Sequence, residues 1–392
     1  MTEHHDIVVV GAGMAGLILA RILTMHDVDV AVYEAEPSAD ARAQGGLLDM
    51  HEESGQAALH AAGLYDQFLA AHHAGGQGWR ILDKHAVVGF EDDEGAEEGN
   101  RPEIHRKDLR RILLESLPEG VVRWGAKVAR FEDSTSDRPH VTLEDGLEVT
   151  AGLLAGADGA YSRCRRLFSD ATPQYLGVTL FETNIYDAAN TNPRSAALAG
   201  HGSFFALDDE KAVLAQCDTY GDLRFNFGLK VAESWATDAV DFSDVEAVRT
   251  MLRAHFADWD SEFQHVIDSI EPPFIPRPLQ TLPIGLTWQP RPGITLLGDA
   301  AHLMSPFAGE GANLAMQDGL ELARAILDHP DAVNDAIAVY EQAMYPRSAE
   351  KAQESADNLE FCFAPDGRIK LVEYRDSQRS ANAVATGAGV AH

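Results

Sequence analysis

Asp6-Ile7-Val8-Val9-Val10 runs directly into Gly11-Ala12-Gly13-Met14-Ala15-Gly16, and then into Leu17, Leu19, Ala20 and Leu23. The first segment is apolar and β-branched, as expected of a central parallel strand buried on both faces. The glycines then confine what can follow. Gly11 allows a tight turn, Gly13 lets backbone N–H groups approach an anion, and Gly16 lets the next helix pack closely on the strand. Val28 to Tyr33 supply a second strand ending at Glu34, so the chain opens with a βαβ unit. Glu34 is placed to hold ribose hydroxyls, and the helix N-terminus favours a pyrophosphate.

A second phosphate- or polyol-binding pattern lies almost a whole chain away. Gly298-Asp299-Ala300-Ala301-His302 follows the apolar run Ile294 to Leu297, and Pro306-Phe307-Ala308-Gly309-Glu310-Gly311-Ala312-Asn313 follows in turn. Asp299 at a strand end can accept hydrogen bonds from a polyol. Pro306, Gly309, Gly311 and Ala312 bring backbone close to a flat ring, with a helix N-terminus aimed at it. A reduced flavin is anionic along one edge, and such a terminus stabilises that charge. Two sites of this kind imply a long dinucleotide gripped at both ends, FAD, with a capped helix beside a surface turn as the bland alternative. Asp158-Gly159-Ala160-Tyr161-Ser162-Arg163-Cys164-Arg165 also follows a strand. It reads equally well as a cofactor clamp or as an N-capped helix with Ser162 and Arg165 on its face.

Composition narrows the partners. A formal charge of -31 argues against nucleic acid, which needs clustered Lys and Arg. Cys164, Cys217 and Cys362 are odd in number and widely spaced, which fits a reducing cytoplasm and gives no metal spacing. The apolar stretch Ile7 to Leu23 is broken by three glycines and Arg21, so it reads as a buried strand and helix, and no membrane partner is expected.

Further along, Ser54 to Ala71 and Lys107 to Leu117 have helical spacing, and Val141 to Val149 is a hairpin about Asp145-Gly146. From about residue 173 to 285 alternating stretches such as Asp222 to Leu229 point to antiparallel strands, with a helix over Val245 to Phe256. A long helix is expected from Asn313 and a helical tail over Ala332 to Glu360, with a frayed end after Ser380. The fold class is therefore α/β: a Rossmann-like FAD-binding domain (1–75, 95–172 and 286–330), an inserted sheet-based substrate domain (76–94 and 173–285) and a C-terminal helical segment (331–392).

In order and spacing the three motifs resemble those of the class A flavoprotein monooxygenases, the family of para-hydroxybenzoate hydroxylase. Gly45-Gly46-Leu47-Leu48-Asp49-Met50-His51 and Pro102 to Arg110 are most similar to the tetracycline-inactivating members. The resemblance implies that Glu34, Asp49, Arg110, Asp158 and Asp299 bind FAD, with Gly309 to Ala312 along the flavin edge, and that Arg42 meets NADPH. It also implies NADPH and O2 consumption, with one oxygen atom delivered through a flavin C4a-hydroperoxide to an aromatic or polycyclic, antibiotic-like small molecule. A dehydrogenase that keeps FAD and inserts no oxygen is the alternative enzyme, and an escort protein that keeps FAD without catalysis is the alternative from another class. On the substrate side, Glu182, Ser203 and Asn226 stand where the subgroup has glutamine, arginine and histidine, while Gly228 is retained. Losing the arginine and histidine removes donors expected to hold tetracycline, which points to a different polycyclic or aromatic substrate. Glu182 and Asn226 read equally as substrate contacts or plain strand residues. His51 and His302 are not expected to be catalytic.

Overall fold

The computed structural model describes residues 2–41, 45–73, 78–92, 101–132, 138–200, 202–218 and 221–388. β1 (Thr2–Val10), α1 (Met14–Thr24) and β2 (Val30–Tyr33) form the opening βαβ unit, with the two strands parallel. β3 (Leu47–Asp49) follows. The single helix expected over Ser54 to Ala71 is three pieces: a π-helical turn at Glu52–Gln56, α2 (Ala57–Ala61) and α3 (Tyr65–Ala71). The break comes at Gly63, which takes a left-handed φ of 66°, and the Leu64 N–H closes onto the Leu59 carbonyl.

β4 (Gly78–Leu82), β5 (Val88–Asp92) and β6 (Glu103–His105) precede α4 (Arg106–Glu115), and β7 (Val122–Arg123), β8 (Val128–Glu132), β9 (His140–Leu143) and β10 (Glu148–Gly156) come next. The β9–β10 hairpin turns at Asp145-Gly146, as expected. β11 (Gln174–Ile185), α5 (Ala188–Thr191), α6 (Pro193–Ala199), β12 (Gly202–Asp208), β13 (Lys211–Cys217) and β14 (Leu223–Lys230) open the central stretch. It closes with α7 (Trp235–Asp238), α8 (Val245–His255), α9 (Ser261–Ser269) and β15 (Glu271–Thr281). Asp244 caps α8 by accepting from the N–H groups of Glu246 and Ala247. β16 (Ile294–Leu296), α10 (Asp299–His302), α11 (Gly311–Asp328), α12 (Val333–Cys362) and α13 (Gly367–Ala388) complete the chain. The helix expected from Asn313 therefore starts two residues earlier, and the tail expected to fray after Ser380 keeps helical backbone to Ala388.

The chain is α/β and divides into two compact units. The first comprises Met1–His72, Asn100–Gln174 and Gln280–Ala356. Its sheet runs β7-β2-β1-β10-β9-β8, with β16 also on β10. β10 serves two partners along its length. Glu148 to Thr150 pair antiparallel with β9, and Leu154 to Gly156 pair parallel with β16. β2, β1, β10 and β16 thus form a contiguous parallel core, covered by α1 and α11. These two helices touch closely: a Cβ on Gly319 would stand 2.5 Å from the Ala15 carbonyl oxygen.

The second unit comprises His73–Gly99, Tyr175–Leu279 and Asp357–His392. Its sheet runs β15-β11-β14-β13-β12-β4-β5, antiparallel at most printed pairs and parallel where β4 meets β12. One face carries a core of Phe181, Phe204, Phe225 and Phe227 packed against Phe256, Phe263 and Trp259 from α8, α9 and their connection. Residues two apart share a face of a strand, so Glu182, Asn226 and Gly228 lie on the opposite one.

Candidate functional site

In the first unit the sheet register brings the motifs together. Tyr33, Val10, Gly156 and Leu296 are mutual neighbours across β2, β1, β10 and β16. One step beyond this row stand Glu34, Gly11, Ala157 and Leu297, and Asp158 and Gly298-Asp299 follow. The motifs therefore share the carboxyl ends of adjacent parallel strands, where α/β sheets place ligands.

The three glycines of the first motif meet different surroundings. A Cβ on Gly11 would fall 2.3 Å from the Ala157 carbonyl oxygen, and one on Gly16 would fall 2.3 Å from that of Gly11. These two close the turn against the sheet. A Cβ on Gly13 finds nothing within 4 Å, at the N-terminus of α1. Gly311, at the N-terminus of α11, is equally open. Open glycines at two helix N-termini are cradles that a side chain would fill, and they suit a ligand with a phosphate and an anionic ring edge. Glu34 is held at the first cradle, accepting from the Ala12 N–H at 2.6 Å and the Glu36 N–H at 2.8 Å.

Asp158 behaves as a cap. It accepts from Ser162 Oγ at 2.5 Å, the Arg163 N–H at 2.7 Å and the Cys164 N–H at 3.1 Å. Arg165, buried, donates to the carbonyls of Ala160, Asp299 and Ala300 and so braces the start of α10. Burial lowers its pKa, against the opposing charges of Asp158 and Asp299. Asp299 is exposed, with the charges of His302, Arg106 and Arg165 acting on its carboxyl.

His302 is held by a buried carboxylate. Its Nε2 lies 2.6 Å from Asp318, which is fully buried, accepts from the Gly298 N–H at 2.8 Å and pairs with Arg347 at 2.8 Å. The turn carrying Asp299 is thereby fixed by α11 and α12. Sequence reasoning missed Asp318 and Arg347, since neither lies in a motif.

Asp49 packs beside Gly309, where a Cβ would approach its Oδ1 to 3.4 Å. Pro306 and Gly309 are exposed, and Gly309 has a left-handed φ of 69°. Ala312 is buried in the first turn of α11. Asn313 latches the two segments, accepting from the His51 N–H at 3.0 Å and donating to the carbonyls of Asp49 at 2.9 Å and Gly309 at 3.3 Å. Arg110, 4% exposed, already pairs with Glu36 at 2.9 Å and donates to the Ala39 carbonyl at 2.9 Å. It organises the segment after Glu34 and presents little free surface. Arg106, one turn earlier, lies against Gly45 and acts electrostatically on Asp299. Its signal was its place at the N-terminus of α4. Arg42 lies outside the described residues.

In the second unit Glu182 is a buried, ion-paired carboxylate, which neither sequence reading anticipated. Arg277 reaches it at 2.7 Å and Arg224 at 3.6 Å. Glu182 sits directly opposite Asn226, and the next row across the sheet runs Asn184, Arg224, Gln216, Ser203 and Trp79. The guanidinium lost at position 203 therefore has counterparts on the same face, at Arg224 and Arg277. Gly228 is closely packed: a Cβ there would stand 2.6 Å from Phe363 Cζ and 3.1 Å from Ala212 Cβ.

No helix among the described residues is long and apolar enough to cross a membrane. Residues 289–355 match the family model for an FAD binding domain, and residues 6–190 match one for lycopene cyclase protein. The second of these spans the opening βαβ unit and the Asp158 turn. The monooxygenase asqM of Emericella nidulans is 30% identical over 91% of this chain and 95% of its own. Among solved structures, Klebsiella pneumoniae HpxO complexed with FAD and uric acid superposes with a TM-score of 0.78 at 20% identity, covering 95% of this chain and 92% of HpxO. The tetracycline destructase Tet(55) gives 0.72 at 21% identity, covering 91% and 89%.

Proposed function

Because the chain belongs to the FAD-binding monooxygenase family and is a flavoprotein enzyme, we propose that it consumes NADPH and O2 to insert one oxygen atom into an aromatic or polycyclic small molecule. The observation that carries this reading is the pair of open glycine cradles, Gly13 and Gly311, at the N-termini of α1 and α11. FAD, when bound, supplies hydride acceptance and oxygen activation. The chain's own groups hold and tune it. The N-terminus of α1 takes the pyrophosphate, Glu34 the adenosine ribose, and Asp299 the ribityl chain. The N-terminus of α11, with Gly309 and Ala312, meets the flavin edge and stabilises negative charge there. Asp49 fixes the turn beneath that edge. Arg42 is assigned to the phosphate of NADPH, a pairing suited to a guanidinium.

On the second unit, Asn226 and the two arginines beside Glu182 read the substrate. Glu182 is neutralised by both guanidiniums and is not a free base. Two positive charges around one negative leave this face of the sheet with spare donors, which favours substrates with a phenolate, enolate or carboxylate edge.

The test is a panel of aromatic and polyketide compounds, tetracyclines included, assayed with the FAD-loaded protein. Expected is substrate-stimulated NADPH oxidation with matching O2 uptake and a product heavier by one oxygen atom. NADPH oxidation with no oxygen uptake would overturn the oxygenase reading in favour of a dehydrogenase.

A further inference from the structure

His51 is 1% exposed and stands between two carboxylates. Its Nε2 lies 2.9 Å from Asp49 Oδ2, and its Nδ1 lies 3.3 Å from Glu310 Oε2. Glu310, itself 5% exposed, is paired on its other oxygen with Lys351 Nζ at 2.7 Å. The Asp49 contact is a hydrogen bond, whereas Nδ1 makes none and meets Glu310 only at ion-pair distance, an attraction that the imidazolium offers and the neutral ring does not. The two carboxylates belong to the two segments that frame the proposed flavin edge, Asp49 at the end of β3 and Glu310 inside the turn before α11.

We propose that His51 is a positioning residue: as a buried cation bridging Asp49 and Glu310, it fastens β3 to the turn Pro306–Gly311 and sets the backbone against which the flavin rests. The inference rests on the FAD reading above. Glu310 sits where a negative charge would oppose an anionic reduced flavin, so His51 and Lys351 also cancel an unfavourable field at the N-terminus of α11. Asn313 supplies a neutral latch between the same segments, so removing His51 loosens the turn without abolishing the connection.

The protonation state follows the geometry. Burial alone would push the imidazole down, but its contacts with Asp49 and Glu310 outweigh this and raise it from the usual 6.5 to about 9. Charged groups facing the cluster include Lys351 on Glu310, Arg101 at 3.8 Å from Asp49, Glu354 at 3.1 Å from Lys351, and Glu103, opposite Asp49 across the β3–β6 pair. With the folded value above the unfolded one, the bridge contributes fully below about pH 6.5. It is lost as pH rises through about 9.

The experiment measures the FAD dissociation constant and the midpoint potential of the bound flavin from pH 6 to 10. The proteins compared are the wild type, His51→Gln, Glu310→Gln and the double variant. Wild type should lose FAD affinity across a transition near pH 9, while His51→Gln should bind roughly tenfold more weakly at pH 7 with no such transition. Its flavin potential should also fall, because the cation near the ring edge is gone. The double variant should recover much of the affinity, since the buried Glu310 charge is removed together with the imidazolium that faced it, and should stay flat with pH. Equal affinity, potential and pH profile in wild type and His51→Gln would overturn the proposal. If His51→Gln fails to fold, Glu310→Gln decides: it should lower the pH of the transition by removing one of the two anions, and an unshifted transition overturns the bridge. A wild type that binds FAD with no transition refutes this inference alone, whereas a wild type that binds no FAD at any pH refutes the FAD reading.

Discussion

Gly13→Ala and Gly16→Ala, made side by side, separate the cofactor role of the first motif from its packing role. At Gly13 the backbone is ordinary (φ −83°, extended), and a Cβ meets nothing within 4 Å. Alanine is a poorer helix N-cap than glycine by about 0.7 kcal/mol, and it recovers about 0.4–1 kcal/mol by restricting the unfolded chain. The two nearly cancel, so the apoprotein should melt within about 2 °C of wild type. On the proposed assignment the methyl group instead stands where the pyrophosphate comes. Displacing one charge-assisted N–H bond costs about 1.5–3 kcal/mol, roughly 10- to 150-fold in Kd. At Gly16 the new methyl collides with the Gly11 carbonyl oxygen at 2.3 Å and approaches Val9 Cγ1 to 3.0 Å. Overpacking of that kind costs about 1–3 kcal/mol, so this variant should lose apoprotein stability and FAD together. The assays are differential scanning calorimetry without cofactor and titration with FAD. If Gly13→Ala destabilises the apoprotein as much as Gly16→Ala, or keeps wild-type FAD affinity, the division of labour is wrong.

Four further outcomes are expected. Arg347→Leu leaves the fully buried Asp318 with His302 and the Gly298 N–H but no guanidinium, and should cost about 3–5 kcal/mol in urea melts; adding Asp318→Asn should return part of that loss. His302 is raised and Asp318 depressed, so the ion pair should stabilise the fold most between their two titrations and weaken on either side, which melting temperature against pH will show. Gly228→Ala should destabilise by about 1–3 kcal/mol through Phe363, and Phe363→Leu should relieve it; unchanged stability with an altered KM would make Gly228 a substrate contact instead. Glu182→Gln frees Arg277 and Arg224 and should raise kcat/KM for acidic substrates over neutral ones in the NADPH oxidation panel, while an unchanged ranking would remove this cluster from recognition.

What could be read in the sequence was local chemistry. Each glycine turn sits beside its own strand, so Gly11 to Gly16 and Gly298 to Ala312 announced themselves within one short stretch of chain each. That β2, β1, β10 and β16 end in one row follows from strand order, which no local pattern encodes. The same limit explains the side chains. His51 and Glu310 are far apart in the chain, as are Glu182 and Arg277, and only the folded sheet brings each pair within reach. Asp158 shows the converse. Its motif suggested equally a clamp and a cap, and its carboxylate accepts from Ser162, Arg163 and Cys164, bonds of the kind a cap makes. Gly228 was read through a resemblance on the substrate side, while its immediate neighbour is a phenylalanine ring from more than a hundred residues away.

The contact at Gly319 has a consequence for cofactor choice. With no room for a methyl group between α11 and the Ala15 carbonyl, the helices that begin at the two glycine turns pack backbone against backbone, and that contact sets the spacing between them. On the proposed assignment the turns act as the jaws of a fixed caliper, and the protein measures the length of what it holds. Flavin mononucleotide would reach one jaw and adenosine diphosphate the other. Each half should bind far more weakly than the joined molecule, because the link makes the second contact an intramolecular one.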